Sequence, residues 1–147
     1  MKLDKKMIKL NQHFDTKEDA IRAAGQLLVD NGCVEPGYVN SMLERNKELS
    51  TYIGNFIAIP HGIDEGKKYI EKTGISVIQV PEGIEFGENH DDHKVVTVVF
   101  GIAGVNNEHL NVLSQIALFC RKVENVAKLA DAQSEQEVID LLKEVEE

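Results

Sequence analysis

Five histidines carry most of the chemistry open to this chain: His13, His61, His90, His93 and His109. An imidazole titrates near ~6.5, so at neutral pH it serves as a nucleophile, a proton carrier or a metal ligand. Their settings separate them. His13 stands in a polar stretch and reads as a solvated surface group. His90-x-x-His93 lies in an Asp-rich loop, a metal pair without a third ligand of settled spacing. His61 follows Pro60 and precedes Gly62. A stiff residue thus delivers its ring at the carboxyl end of a strand, where α/β sheets place binding groups, and Gly62 lets the backbone turn away. A turn histidine bonded to a carbonyl fits the same residues. His109 follows a buried run that gives way to a helix. With Asn106 as N-cap it takes the third helical position, beside free first-turn N–H groups that suit an anion. The plainer reading is a histidine that bonds the cap. No Ser/His/Asp motif, Walker loop or GxGxxG is present, so a nucleotide-using enzyme gains no support.

The elements that must position these rings are legible in outline. Ala20, Ile21, Ala24, Leu27 and Leu28 form the apolar stripe of a helix over 16–31, capped by Asp15 or Thr16 and stopped by Gly32. Pro36 opens a second helix through Val39, Met42 and Leu43 that fades near Glu48. Phe56 to Pro60 reads as a short strand, and Ile75 to Val80 and Val95 to Ile102 as longer ones. Pro81 to His93 reads as an acidic, turn-rich connection between them. Helix spacing returns over Leu110 to Cys120, and Ser134-x-x-Glu137 opens a last helix. Without a repeat or linker, residues 1–147 are expected to form a single compact α/β domain, a mixed β-sheet flanked by helices.

Composition narrows the partners. Sixteen basic against 25 acidic residues give a net charge of −9 in 147 residues. Such a surface repels phosphate backbones and anionic lipid, which sets nucleic acid and membrane surfaces aside. The most apolar run, Val95 to Val105, is far short of the ~20 residues of a membrane span. The N-terminus has no apolar signal core, and Cys33 and Cys120 stand alone. A cytoplasmic protein with two free, buried or half-buried thiols is expected.

Longer strings then carry a resemblance. Met42-Leu43-Glu44-Arg45, the run from Ser50 through Ile57-Ala58-Ile59-Pro60-His61-Gly62, Pro81-x-Gly83-Ile84-x-Phe86-Gly87, Val99 to Ala103, and Asn107-Glu108-His109-Leu110 occur in order. Together they resemble the enzyme IIA components of the mannitol/fructose class of the bacterial phosphoenolpyruvate-dependent sugar phosphotransferase system, the mannitol branch most of all. The likeness runs from about Leu10 to the last helix.

The resemblance implies a phosphocarrier. His61 becomes the phosphorylated nucleophile, with His109 and Arg45 stabilising the phosphoryl group and no cofactor or metal. Phospho-HPr is the implied donor, and a cysteine of the cognate enzyme IIB is the acceptor, serving a membrane-bound IIC. On its residues alone, Arg45 reads as a surface ion-pair partner. Phe56, Ile57 and Ile59 lie near enough in sequence to contact these proteins, unless they are core. A fructose-specific IIA and a nitrogen-type regulatory paralogue would use the same histidine. A metal-dependent hydrolase built on His90, His93 and His109 is the reading from another class.

Overall fold

The computed structural model describes residues 3–143, with the backbone alone at His90 and His109. The first helix forms as its stripe requires. α1 (Lys17–Asp30) begins where the Thr16 hydroxyl accepts the Asp19 N–H at 3.1 Å, and the chain leaves it through Gly32 at φ +74°. α2 (Gly37–Glu48) follows directly on Pro36.

Five strands make one mixed sheet in the order β1 (Ile8–Lys9), β4 (Gly74–Glu85), β5 (Val95–Ala103), β3 (Ile57–Ala58) and β2 (Tyr52–Gly54). β1 runs parallel to β4 and β3 parallel to β5, whereas β4–β5 and β2–β3 are antiparallel. Alternation along β4 builds the layers. Ile78 and Val80 face α1 and α2, and the Ser76 hydroxyl reaches the Ala24 carbonyl on that side at 2.8 Å. Ile75 and Val77 face the opposite layer with Phe100, Ile102 and Ile116. That layer holds α3 (Glu108–Phe119), α4 (Val123–Asp131) and α5 (Glu135–Leu142). Full burial of a side chain such as Phe100 contributes about 1.5–3 kcal/mol, so the two apolar layers outweigh the short strands' few ladder bonds. The expected α/β fold, a mixed sheet flanked by helices, is what the chain adopts.

Several expectations need correction. The strand expected from Phe56 to Pro60 shrinks to Ile57–Ala58, because Asn55 and Phe56 sit at φ +48° and +68° in a tight turn. Ile57 is wholly core, Ile59 packs partly against it, and Phe56 alone of the three is exposed. Pro81 to Glu85 is not loop but the continuation of β4. Pairing with β5 shifts register between Gln79 and Ile84, and there a residue without an N–H is tolerated. Asn106 does not cap α3. Both Asn106 and Asn107 take left-handed backbone, Asn107 holds the cap position, and His109 becomes the second helical residue. Cys33 and Cys120 are free and buried. No helix among the described residues is long and apolar enough to cross a membrane.

Candidate functional site

His61 emerges where two strand ends meet. Beyond β3, the Ile59 N–H donates to the Thr51 carbonyl at 3.0 Å, and the Ile102 N–H donates to the Pro60 carbonyl at 2.9 Å. His61 itself forms a one-residue parallel bridge with Ile102 at the end of β5. Its Nδ1 lies 2.8 Å from the Ile59 carbonyl oxygen. A carbonyl can only accept, so Nδ1 carries the proton and, in the neutral ring, the lone pair sits on Nε2.

The chain beyond His61 is held by α2. The Gly62 N–H donates to the Tyr38 hydroxyl at 2.9 Å, and the Ile63 N–H donates to the Ser41 hydroxyl at 2.9 Å. Gly62 is needed for space rather than for a turn. A Cβ there would run into the Tyr38 ring and the Ser41 hydroxyl, while its φ is not positive. Tyr38, Ser41 and Arg45 stand at i, i+3 and i+7, one face of α2, so Arg45 shares the stripe that meets the His61 loop. Its guanidinium donates to the Leu49 carbonyl at 2.5 Å, at the end of its own helix.

His61 opens into a small depression of about 280 Å³ with Tyr38, Gly62, Ile63, Asp64, Lys67, Ile70 and Gly104 in its walls. Arg45 does not line it. The cation in the wall is Lys67, whose Nζ donates to Asn107 Oδ1 at 3.1 Å and pairs with Asp64 at 3.5 Å. Asn107 caps α3 in position but makes no side-chain cap bond to the helix. Lys67 thus links the His61 depression to the start of the helix that carries His109, whose ring lies outside the described side chains. His90 has the same standing. His93 is exposed at the end of a short 3-10 turn (His90–Asp92), and His13 is exposed beside Asp15 and Glu82, each 3.6 Å away. Among the described residues no three metal-binding side chains gather.

Sequence reasoning missed Tyr38, Ser41 and Lys67. Two hydroxyl residues spaced with Arg45 on one helix face were the available signal for the first pair. Lys67 carried none, since a lysine in a charged segment is ordinary.

Burial pushes the Tyr38 hydroxyl up to about 12, against the opposing effect of the Gly62 N–H. Burial pushes the Cys120 thiol up to about 12 as well. In the unfolded chain these groups titrate near ~10 and ~8.5, so the folded state binds their protons more tightly. That stability is whole below the unfolded values and is lost as pH rises through the folded ones. Thermal melts should therefore drop steeply between about pH 9 and 12, and Cys120→Ala should flatten the early part of that fall. A melting temperature indifferent to alkali would contradict this.

Residues 1–145 match a family model described as phosphoenolpyruvate-dependent sugar phosphotransferase system, EIIA 2. The chain is 56% identical over 135 residues to a mannitol-specific phosphotransferase enzyme IIA component of Enterococcus faecalis, covering 92% of each. It is 51% identical over 143 residues to the protein of the same name in Bacillus subtilis, covering 97% of each. Among solved structures it is similar to the Escherichia coli complex of enzyme IIAMTL with phosphorylated enzyme IIBMTL. There the identity is 41%, the TM-score 0.91, and the match covers 97% of this chain and 98% of that one.

Proposed function

The chain belongs to the EIIA 2 family of the phosphoenolpyruvate-dependent sugar phosphotransferase system, and from that premise we propose that it carries phosphate for mannitol uptake on His61. Phospho-HPr docks with its phosphohistidine facing the depression. The His61 Nε2 lone pair attacks phosphorus, the new N–P bond forms, and the donor's N–P bond breaks with its electron pair returning to the donor imidazole. As the His61 ring gains positive character, the Nδ1–H bond to the Ile59 carbonyl strengthens and holds the ring in line. In the second half, the thiolate of a cysteine on the cognate enzyme IIB attacks the same phosphorus and the pair returns to Nε2. The IIB then serves the membrane-bound IIC, and residues 1–147 act as a single cytoplasmic enzyme IIA unit.

The observation that carries this reading is the 2.8 Å contact between Nδ1 and the Ile59 carbonyl, at a strand end opening into a depression. It fixes Nδ1 as donor and places the neutral ring's lone pair on Nε2. The equatorial oxygens need positive partners. Arg45 supplies them by swinging from the Leu49 carbonyl, Lys67 stands in the depression wall, and His109 occupies the first turn of α3. Phe56, 45% exposed in its turn, offers an apolar contact for docking.

The test is reconstituted mannitol phosphorylation with phosphoenolpyruvate, enzyme I, HPr and membranes bearing mannitol IIB and IIC. Wild-type protein should restore it and should not restore fructose phosphorylation with fructose-specific membranes. Restoration of fructose alone would move the specificity to the other branch. In the same assay Arg45→Ala, Lys67→Ala and His109→Ala should stay folded and slow the transfer, each by about tenfold or more, as loss of a charge-assisted hydrogen bond predicts. Unchanged rates would remove them from the mechanism.

A further inference from the structure

We infer that Tyr38 is a positioning residue for phosphoryl transfer, its hydroxyl setting the direction in which the His61 ring presents Nε2. The inference rests on the phosphocarrier reading and adds to it a residue that never meets the phosphoryl group. Tyr38 is 3% exposed, so its hydroxyl has no water to fall back on. That hydroxyl donates to the Ile102 carbonyl at 2.8 Å and accepts the Gly62 N–H at 2.9 Å. Its proton and its acceptor lone pair are therefore both committed, one to the end of β5 and one to the peptide that follows His61.

Ile102 completes the clamp. Its N–H grips the Pro60 carbonyl before His61, while its own carbonyl takes the Tyr38 proton. The histidine is thus bracketed: Pro60 bonds directly to the strand and Gly62 bonds to the strand through the phenol. The ring in turn hangs from the Ile59 carbonyl, whose residue is fixed by Thr51. Ring direction depends on the relative placement of residue 59 and the 61–62 peptide. Tyr38 ties the second of these to the sheet. Ser41 fixes the next peptide, at Ile63, from α2. The absent Cβ of Gly62 matches this arrangement, since the Tyr38 ring occupies that space.

Tyr38→Phe keeps the ring against Gly62 and removes both bonds, loosening the Gly62 peptide, which is then held only by the His61–Ile102 bridge and its neighbours' bonds. Misplacement of a reacting group by about 1 Å can cost a factor on the order of 100 in rate. The experiment compares wild type, Tyr38→Phe and Val126→Ala, a core truncation in the α3–α5 layer that controls for lost stability. Transfer from phospho-HPr is measured as kcat and KM, and nitrogen-15 NMR of the unphosphorylated protein reads the His61 tautomer. In Tyr38→Phe, kcat should fall by about tenfold or more with KM within about twofold. The His61 signals should move from the pure Nδ1–H tautomer toward a mixture. Val126→Ala should change neither. An unchanged kcat, an unchanged tautomer, or the same losses in Val126→Ala overturns the inference. A wild-type protein that takes no phosphate on His61 would instead sink the phosphocarrier reading, and the tautomer would still judge Tyr38.

Discussion

His61→Ala should leave a folded protein that takes up no phosphate from phospho-HPr. The loss is total because no described side chain in the wall of the depression offers a neutral ring nitrogen in its place: Tyr38 keeps its proton up to about pH 12, and Lys67 is engaged by Asp64 and Asn107. The fold should survive because the backbone clamp does not pass through the ring. Pro60 is bonded to Ile102, Gly62 to Tyr38 and Ile63 to Ser41, and all three bonds remain. The Ile59 carbonyl loses one partner at a half-exposed position, a cost of about 1 kcal/mol. Labelling from phosphoenolpyruvate with enzyme I and HPr, beside a thermal melt, checks both halves. Residual label above background would remove His61 as the acceptor.

The second large effect concerns stability and lies far from the site. Gln79→Leu should cost about 3 kcal/mol, or roughly 10 °C in melting temperature for a protein of this size. Gln79 is 3% exposed in the middle of β4. Its amide donates to the Leu129 carbonyl at 3.0 Å and the Ala132 carbonyl at 2.9 Å, at the end of α4. Its side-chain oxygen accepts the Asn11 N–H at 2.9 Å. Leucine fills nearly the same volume, so the cavity term is small and the lost bonds dominate. The Ala132 carbonyl would lose its side-chain donor and the Leu129 carbonyl would keep only the Ala132 N–H at 3.3 Å, whereas Asn11 is exposed enough to find water. Urea titration measures the change, and a loss under about 1 kcal/mol would show that water repairs the helix end.

What the sequence revealed divides along physical lines. The stripe of α1 and the alternation of β4 and β5 were legible, because each buries a face whose period appears in the residues themselves. β1 and β2 were not: a two-residue strand such as β1 exists only through a partner distant in the chain, Ile8 beside Val77, and three-residue β2 is too short to show a period although its partner Ala58 is near. α4 escaped notice because Lys122, at its N-cap, makes no side-chain bond and announces no helix. The cap of α3 was misplaced by one residue because two consecutive asparagines compete for it, and both adopt left-handed backbone. At the site, Pro60-His61-Gly62 marked His61 as a candidate beside the plainer turn histidine, and the family likeness supplied its proposed role together with Arg45 and His109. The polar struts from α2 were hidden in a helix whose expected apolar stripe was Val39, Met42 and Leu43. Tyr38 and Ser41 are nearly as buried as Met42, and their hydroxyls satisfy backbone groups of the loop rather than water.

The net charge of −9 also gains a local meaning. The groups proposed to meet phosphate are one arginine, one lysine and two histidines in an otherwise acidic chain, with the lysine held at rest by Asp64 and Asn107. Cations so placed are available to a phosphoryl group without making the whole surface attractive to nucleic acid.

The central claim is that phosphate rides on Nε2 of His61 while Nδ1 stays bonded to the Ile59 carbonyl. Phosphorus-31 and nitrogen-15 NMR of the protein phosphorylated from phosphoenolpyruvate tests it directly. One acid-labile phosphohistidine is expected, at His61, with phosphorus coupled to Nε2. Phosphate on Nδ1 of His61, or on any other histidine, would contradict it.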